Sequence, residues 1–262
     1  MRFGSSTMFL REKPVTAALD LIARSGFAAA EVWVEHLWRS GETPAAIREH
    51  ARGLGLTLTV HATSYDVNVC STNPGIRRES LRQMEESLDI AARVGARVVA
   101  MHPGHLSSTR ASLEGAWENL MGALALLDAR AMELGVRLGI EAMEKNPKEF
   151  FVQQEDFRRL FIRDWQAIGL TVDLAHAQTV MNPLDYLAQV PAEKIVHAHC
   201  SDNAPQQTHL PLGRGTLDLP AVLAALDQKY DGVVILEGYV PGQGERIVPA
   251  NAEYLRARGL MR

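Results

Sequence analysis

Eight short apolar runs, each succeeded by a longer segment of helical character, recur along the whole chain. They occupy residues 2–4, 29–34, 56–60, 97–101, 136–140, 169–172, 195–198 and 232–236. This alternation predicts a parallel sheet wrapped by helices, because parallel neighbours need a crossover that a helix supplies. The intervening segments carry helix signals. Thr43-Pro44 and Asn182-Pro183 each place a capping side chain before a proline at the first helical position, and Asp218 with Pro220 does so for residues 219–230. Residues 76–94 set Leu81, Met84, Leu88 and Ala91 at helical spacing, with Gly95 placed to end the helix.

Eight such units can close or stay open. An open doubly wound sheet usually carries a glycine-rich phosphate turn after its first strand, whereas here the first run leads into Ser5-Ser6-Thr7-Met8. The expected fold class is therefore α/β, a single (β/α)8 TIM barrel. Its 262 residues are close to the roughly 250 typical of that architecture. No Gly/Ser-rich or Pro-rich linker interrupts the chain, so residues 1–262 are expected to form one domain.

Composition narrows the function classes only mildly. A net charge of −4 gives no support to generic nucleic-acid binding, although a local basic groove stays open. Cys70 and Cys200 stand far apart and form no paired motif, which suits a reducing compartment. The first residues lack an apolar signal core and no apolar run is long enough to span a bilayer, so a cytoplasmic location without membrane contact is expected.

The informative residues stand where the runs end. The third ends at His61, the fourth at His102, the fifth at Glu141, the sixth at Asp173, the seventh at His199 and the eighth at Glu237. All six are side chains that bind divalent cations. In a parallel barrel they would converge on the C-terminal mouth, where active sites of such barrels lie. Taken alone, a glutamate closing an apolar run is as often a salt-bridged rim carboxylate, and His61 alone reads more naturally as a rim histidine. Together, several carboxylates at one mouth are electrostatically costly unless a cation lies between them. His197, two residues before His199, shares its face of the strand and is expected one layer deeper. Residues 201–218, polar and turn-rich with no helical period, are expected to fold over the mouth and bring His209 to it.

Ordered short motifs extend these observations. They are His61-Ala62-Thr63-Ser64-Tyr65, His102-Pro103-Gly104, Gly139-Ile140-Glu141, Asp173-Leu174-Ala175-His176, His199-Cys200-Ser201-Asp202-Asn203, His209-Leu210-Pro211-Leu212-Gly213 and Leu236-Glu237-Gly238. In this order the chain resembles the xylose isomerase-like barrel superfamily, which includes sugar-phosphate isomerases and epimerases and the endonuclease IV class. The resemblance implies one metal held by Glu141, Asp173, His199 and Glu237. Its nuclease branch implies a second on His61, His102 and Glu141. That branch builds a third site from the histidines matching His176 and His209 and an aspartate at the position of Gln207, where this chain has only a neutral amide. One or two divalent ions per chain (Zn, Mn, Mg or Co) are therefore expected.

Two functions from different classes remain open. The resemblance implies an isomerase or epimerase of a sugar, sugar phosphate or polyol. In it Glu141 and Glu237 are catalytic, exchanging a proton at the carbon alpha to a carbonyl. His176, His209, Trp33 and Arg214 are the candidate substrate-binding residues. Arg214 enters because the arginine that ketose epimerases place six residues after the matching histidine is Pro205 here. Trp33 and Trp38 would wall the sugar, although ordinary core or rim aromatics explain them equally well. The alternative is an endonuclease IV-like phosphodiesterase acting on abasic DNA, which alone makes nucleic acid a partner. It uses His61 and His102 as ligands and draws phosphate contacts from arginines such as Arg39, Arg77, Arg78 or Arg110. A barrel that keeps its ligands for stability or sensing is the non-enzymatic reading.

Overall fold

In a computed structural model of the chain, which describes residues 1–205 and 207–261, all eight expected strands form. Gln206 and Arg262 lie outside the described residues. The first seven strands are β1 (Arg2–Ser6), β2 (Ala29–Trp33), β3 (Thr57–His61), β4 (Val98–Met101), β5 (Arg137–Glu141), β6 (Ile168–Asp173) and β7 (Ile195–Cys200). Two short strands come next, β8 (Asp202–Ala204) and β9 (Gln207–Leu210), and then β10 (Val233–Leu236). Strands β1 to β7 and β10 pair in parallel and close into a barrel, with β10 between β7 and β1. Strands β8 and β9 form a separate antiparallel hairpin.

The helix signals hold. Thr43 accepts a hydrogen bond from Ala46 N at 3.2 Å, Asn182 from Leu184 N at 2.9 Å and Asp218 from Ala221 N at 3.2 Å. The helix expected over 76–94 starts earlier, as Pro74–Val94, because Asn73 caps it and Pro74 occupies its first position. It ends at Gly95, which takes the left-handed φ of 81° that glycine adopts without steric cost.

Alternation along the strands sorts side chains into two environments. Outward residues such as Val32, Val60, Leu138, Ile140, Leu170, Val172 and Leu236 join the large core between barrel and helices. Inward residues stack in layers, as barrel interiors do. Ala29, Val233 and Ile235 form a separate apolar cluster in the lumen. Above it, Glu31, Thr59 and His197 are joined by hydrogen bonds, with Thr171 in register beside His197. The next inward position on these strands carries Trp33, His61, Asp173 and His199, with Glu141 on β5. The lumen thus passes from apolar to ionisable toward the mouth.

Gly139, two residues before Glu141, leaves room for this layering. A Cβ there would lie 2.2 Å from Thr171 Oγ1 and 3.0 Å from a methyl of Val196. Gly139→Val is expected to overpack the lumen at a cost of about 1–3 kcal/mol. Thermal unfolding of the variant, followed by circular dichroism, should show a midpoint lower by several degrees; an unchanged midpoint would contradict the layering.

Candidate metal centre

Each of the six residues singled out lies within one position of its strand's end, so parallel pairing delivers all six to one rim. Glu141, Asp173, His199 and Glu237 each contribute a ligand atom to a set whose members lie within 4.8 Å of one another. Local structure aims them. Asp173 caps the helix Leu174–Val180, its Oδ1 accepting from His176 N at 2.8 Å. That leaves Oδ2 for the set. Glu141 Oε2, Asp173 Oδ2 and Glu237 Oε1 are buried without a hydrogen-bond donor among the described residues. Unmet carboxylate oxygens are expensive to bury, and a divalent cation would satisfy several at once. Three carboxylates with one imidazole suit Mn, Mg, Zn or Co. The residues therefore fit the ion that the sequence implies.

His199 links two layers. Its Nδ1 lies 3.3 Å from both Glu141 Oε1 and Glu237 Oε2, while Nε2 lies 3.1 Å from Glu31 Oε1 in the layer below. Glu31 is fully buried and also meets His197 Nε2 at 2.7 Å and the Thr59 hydroxyl at 3.1 Å. His197 stands one layer deeper, as its offset from His199 predicts. Glu31, His197 and His199 also come within 4.8 Å of one another, with the Glu31 carboxylate between the two imidazoles. Sequence reasoning misses Glu31. Its signal is a charge in the middle of the otherwise apolar run Ala29-Ala30-Glu31-Val32-Trp33.

His61, His102 and Glu141 form a second set within the same 4.8 Å limit. His61 Nε2 and His102 Nε2 lie 3.7 and 3.5 Å from Glu141 Oε2. His61 donates from Nδ1 to Ala62 O at 2.7 Å, and its ring stacks on Trp33 with centroids 4.1 Å apart. Both contacts hold its Nε2 toward Glu141.

The carboxylates of the centre divide in protonation. Burial would raise Glu141, yet the charge and hydrogen bond of His199, with His61 and His102 close to its other oxygen, hold it well below the usual carboxylate range. Burial, joined by the charges of Glu141 and Glu31, pushes Glu237 up to about 8 against the pull of His199. Burial opposes protonation of His61, but the adjacent Glu141 carboxylate and the charges of Glu31 and Glu237 prevail and push it up to about 9.

A cavity of about 270 Å³ opens above these residues. Trp33, His61, His102, Glu141, His176, His209 and Glu237 line it, as do Phe9 and Tyr239. His209 arrives there on β9, so the long connection does cover the mouth. It does so as a hairpin rather than as irregular chain. Asp202 is the reason: its carboxylate accepts from the backbone N–H of Asn203, Gly213, Gly215 and Leu217 and folds the segment on itself. The same fold carries Arg214 away from the mouth. It is exposed and lines a different depression with Arg246 and Gln243, and nothing brings it to the other candidate residues. Trp38 is likewise 42% exposed and absent from the cavity wall. Glu144, which sequence reasoning also misses, lines the cavity through the loop after β5. No helix of the described residues is long and apolar enough to cross a membrane.

Comparison with known proteins agrees with this architecture. A family model described as "Xylose isomerase-like TIM barrel" matches residues 19–258. An uncharacterized protein of Methanocaldococcus jannaschii is 25% identical over 245 residues, covering 90% of this chain and 83% of that protein. A probable endonuclease 4 of Mycobacterium marinum is 26% identical over 209 residues, covering 75% and 78% respectively. Among solved structures, a D-tagatose 3-epimerase-like protein superposes with a TM-score of 0.82 at 22% identity, over 99% of this chain and 100% of that one. The structure of IOLI protein with a binding zinc atom gives 0.79 at 17% identity, over 99% and 97%.

The contact beneath His199 and the proton distribution can each be tested. Glu31→Gln removes the charge beneath His199 Nε2, and losses of such supporting partners typically weaken metal binding about 10- to 100-fold. Competition titration with zinc reads this directly, and unchanged affinity would show that Glu31 does not act through His199. The proton distribution is read through pH. In the metal-free chain Glu237 and His61 titrate near 8 and 9, above their ordinary values of 4.5 and 6.5. At these two groups the folded state holds more protons than the unfolded one. The stability contributed by His61 is complete below about pH 6.5 and lost as pH rises through 9, and that of Glu237 is lost between about pH 4.5 and 8. A cation replaces those protons, so the rise in melting temperature on adding manganese or zinc should be larger at pH 8 than at pH 5.5. Equal rises at both values would contradict it.

Proposed function

This chain belongs to the xylose isomerase-like TIM barrel family, and from that premise we propose that it is a divalent-metal-dependent isomerase or epimerase of a small sugar or related polyol. The observation that carries the reading is the placing of two carboxylates at one cavity floor. Glu141 from β5 and Glu237 after β10 each hold an oxygen 3.3 Å from His199 Nδ1, beneath a cavity of small-molecule size. A divalent ion held by Glu141, Asp173, His199 and Glu237 would supply Lewis acidity toward a carbonyl and its neighbouring hydroxyl. One carboxylate takes the proton from the carbon alpha to the carbonyl, and the other returns one from its own side. Two carboxylates suit that exchange because one can act as base while the other acts as acid. Trp33, Phe9 and Tyr239 exclude water from one wall, and His176 and His209 offer ring nitrogens to substrate hydroxyls.

A second reading is favoured by one observation. His61, His102 and Glu141 form a ligand set that proton exchange does not require and that an endonuclease IV-like phosphodiesterase acting on abasic DNA would use. Product analysis separates the two. The metal-loaded protein is offered a panel of ketoses in deuterium oxide and, separately, an abasic duplex. The isomerase reading expects deuterium at the alpha carbon of recovered and epimerised sugar, with an intact duplex. Cleavage of the duplex with no sugar turned over would replace it with the phosphodiesterase reading.

A further inference from the structure

Beyond the metal centre and the function proposed for it, we infer that the opposite, N-terminal end of the barrel holds a binding site for a small oxyanion of the phosphate class, inorganic phosphate or a phosphomonoester. A cavity of about 470 Å³ opens there, a size that suits a small molecule. Arg2, Arg97, Arg137 and Lys229 line it, as do the carboxylates Glu193 and Asp231. Four cations against two carboxylates reverse the balance of the mouth cavity, whose described lining has three glutamates and no lysine or arginine.

Register gathers the arginines as it gathers the metal ligands. All eight barrel strands run in one direction, so residues at strand starts share one rim. Arg2 opens β1 two residues before Gly4, and Arg137 opens β5 two residues before Gly139, so both occupy lumen-facing positions. Arg97 directly precedes β4, and its carbonyl accepts from Arg137 N–H at 2.8 Å. Neutral acceptors hold two of the guanidinium groups: Arg2 Nη1 donates to Thr57 Oγ1 at 3.0 Å, and Arg97 Nη1 to Gly135 O at 3.3 Å. Among the described residues no carboxylate, Glu193 and Asp231 included, forms an ion pair with Arg2, Arg97 or Arg137. Lys229 contributes charge only, since its ammonium donates to Leu187 O at 2.6 Å and Val190 O at 2.9 Å at the end of the helix Pro183–Gln189.

The inner wall supplies an independent indication. His197, fully buried, lines this cavity from the lumen side. Its Nε2 donates to the Glu31 carboxylate at 2.7 Å, so in the neutral ring Nδ1 presents a lone pair. That Nδ1 is buried and has no partner among the described residues. Such an atom is costly unless a donor reaches it. Monohydrogen phosphate and a phosphomonoester monoanion carry both of the groups this cavity calls for. Their oxygens match the guanidinium forks, and their P–OH hydrogen can meet Nδ1. The Thr57 hydroxyl accepts from Arg2 and keeps its own hydrogen for a phosphate oxygen.

Isothermal titration calorimetry tests this on the full chain, treated with a chelator so that phosphate finds no ion at the mouth. Inorganic phosphate and glycerol phosphate are titrated at low ionic strength into the wild type, Arg97→Gln, Arg137→Gln and Arg246→Gln. The last is a control that makes the same charge change at an exposed position lining a different depression. Circular dichroism confirms that each is folded. Saturable binding of at least one of the two anions is expected for the wild type and the control. It should weaken about tenfold or more in Arg97→Gln and Arg137→Gln, each of which loses a charge-assisted hydrogen bond. Tighter binding of glycerol phosphate would identify a phosphorylated metabolite as the occupant, and tighter binding of phosphate the free ion. Sulfate, which has no hydrogen for Nδ1, is expected to bind less tightly than phosphate; equal affinity would contradict the part given to His197. No saturable binding to the wild type, or the same affinity in all four proteins, would overturn the site and leave the metal centre standing.

Discussion

Three carboxylates and an imidazole within 4.8 Å of one another, nearly buried at the floor of the mouth cavity, cannot all keep their ordinary ionisation in a metal-free chain. The molecule answers in two ways. Protons are redistributed, with Glu237 and His61 holding theirs and Glu141 giving its own up. Three carboxylate oxygens also stay without donors, the arrangement that a divalent cation resolves. This electrostatic demand governs the rest of the site. It explains why Glu31 lies charged at the barrel's centre, in the company of two imidazoles and a hydroxyl. A carboxylate beneath His199 turns Nδ1 up toward the mouth and keeps the ring from rotating.

The barrel contributes by register. Parallel pairing sets Trp33 beside His61 and Asp173 beside His199, so that successive strands present their last inward residues at nearly one height. A shift of one residue in any strand would send its ligand outward into the apolar layer under the helices. Small residues make the register tolerable. Gly139 yields space to Thr171, and Gly4 on β1 does the same for Ile235, whose Cδ1 a Cβ would meet at 2.7 Å. Tolerance for polar layers in the lumen therefore rests on glycine where neighbouring strands carry bulk.

Much of this is legible in the sequence because the signals are local. Apolar runs ending in His, Asp or Glu mark both a strand and its rim, and all six of those residues stand at the rim in the folded chain. Caps at Thr43, Asn182 and Asp218 are readable for the same reason. The features that stay hidden depend on contacts between distant segments. Glu144 lies in a loop with no periodicity, and its contact with the Thr208 hydroxyl comes from a hairpin 64 residues later. Arg214 reads as well placed by its nearness in sequence to His209. Four backbone N–H groups gathered by Asp202 decide its direction instead, and no spacing rule reveals that.

The charge of the cavity wall bears on which substrates it admits. Glu141, Glu144 and Glu237 line it, and its described lining residues include no lysine or arginine. A phosphodiester or sugar phosphate entering this space would find its positive partners only in histidines and bound cations. Arg11 and Arg39 line an adjoining depression, where Arg39 is already paired with Glu12 at 3.0 Å. A neutral polyhydroxy compound faces no such conflict. Its hydroxyls can meet carboxylates and imidazoles, and its apolar face can lie against Trp33, Phe9 or Tyr239.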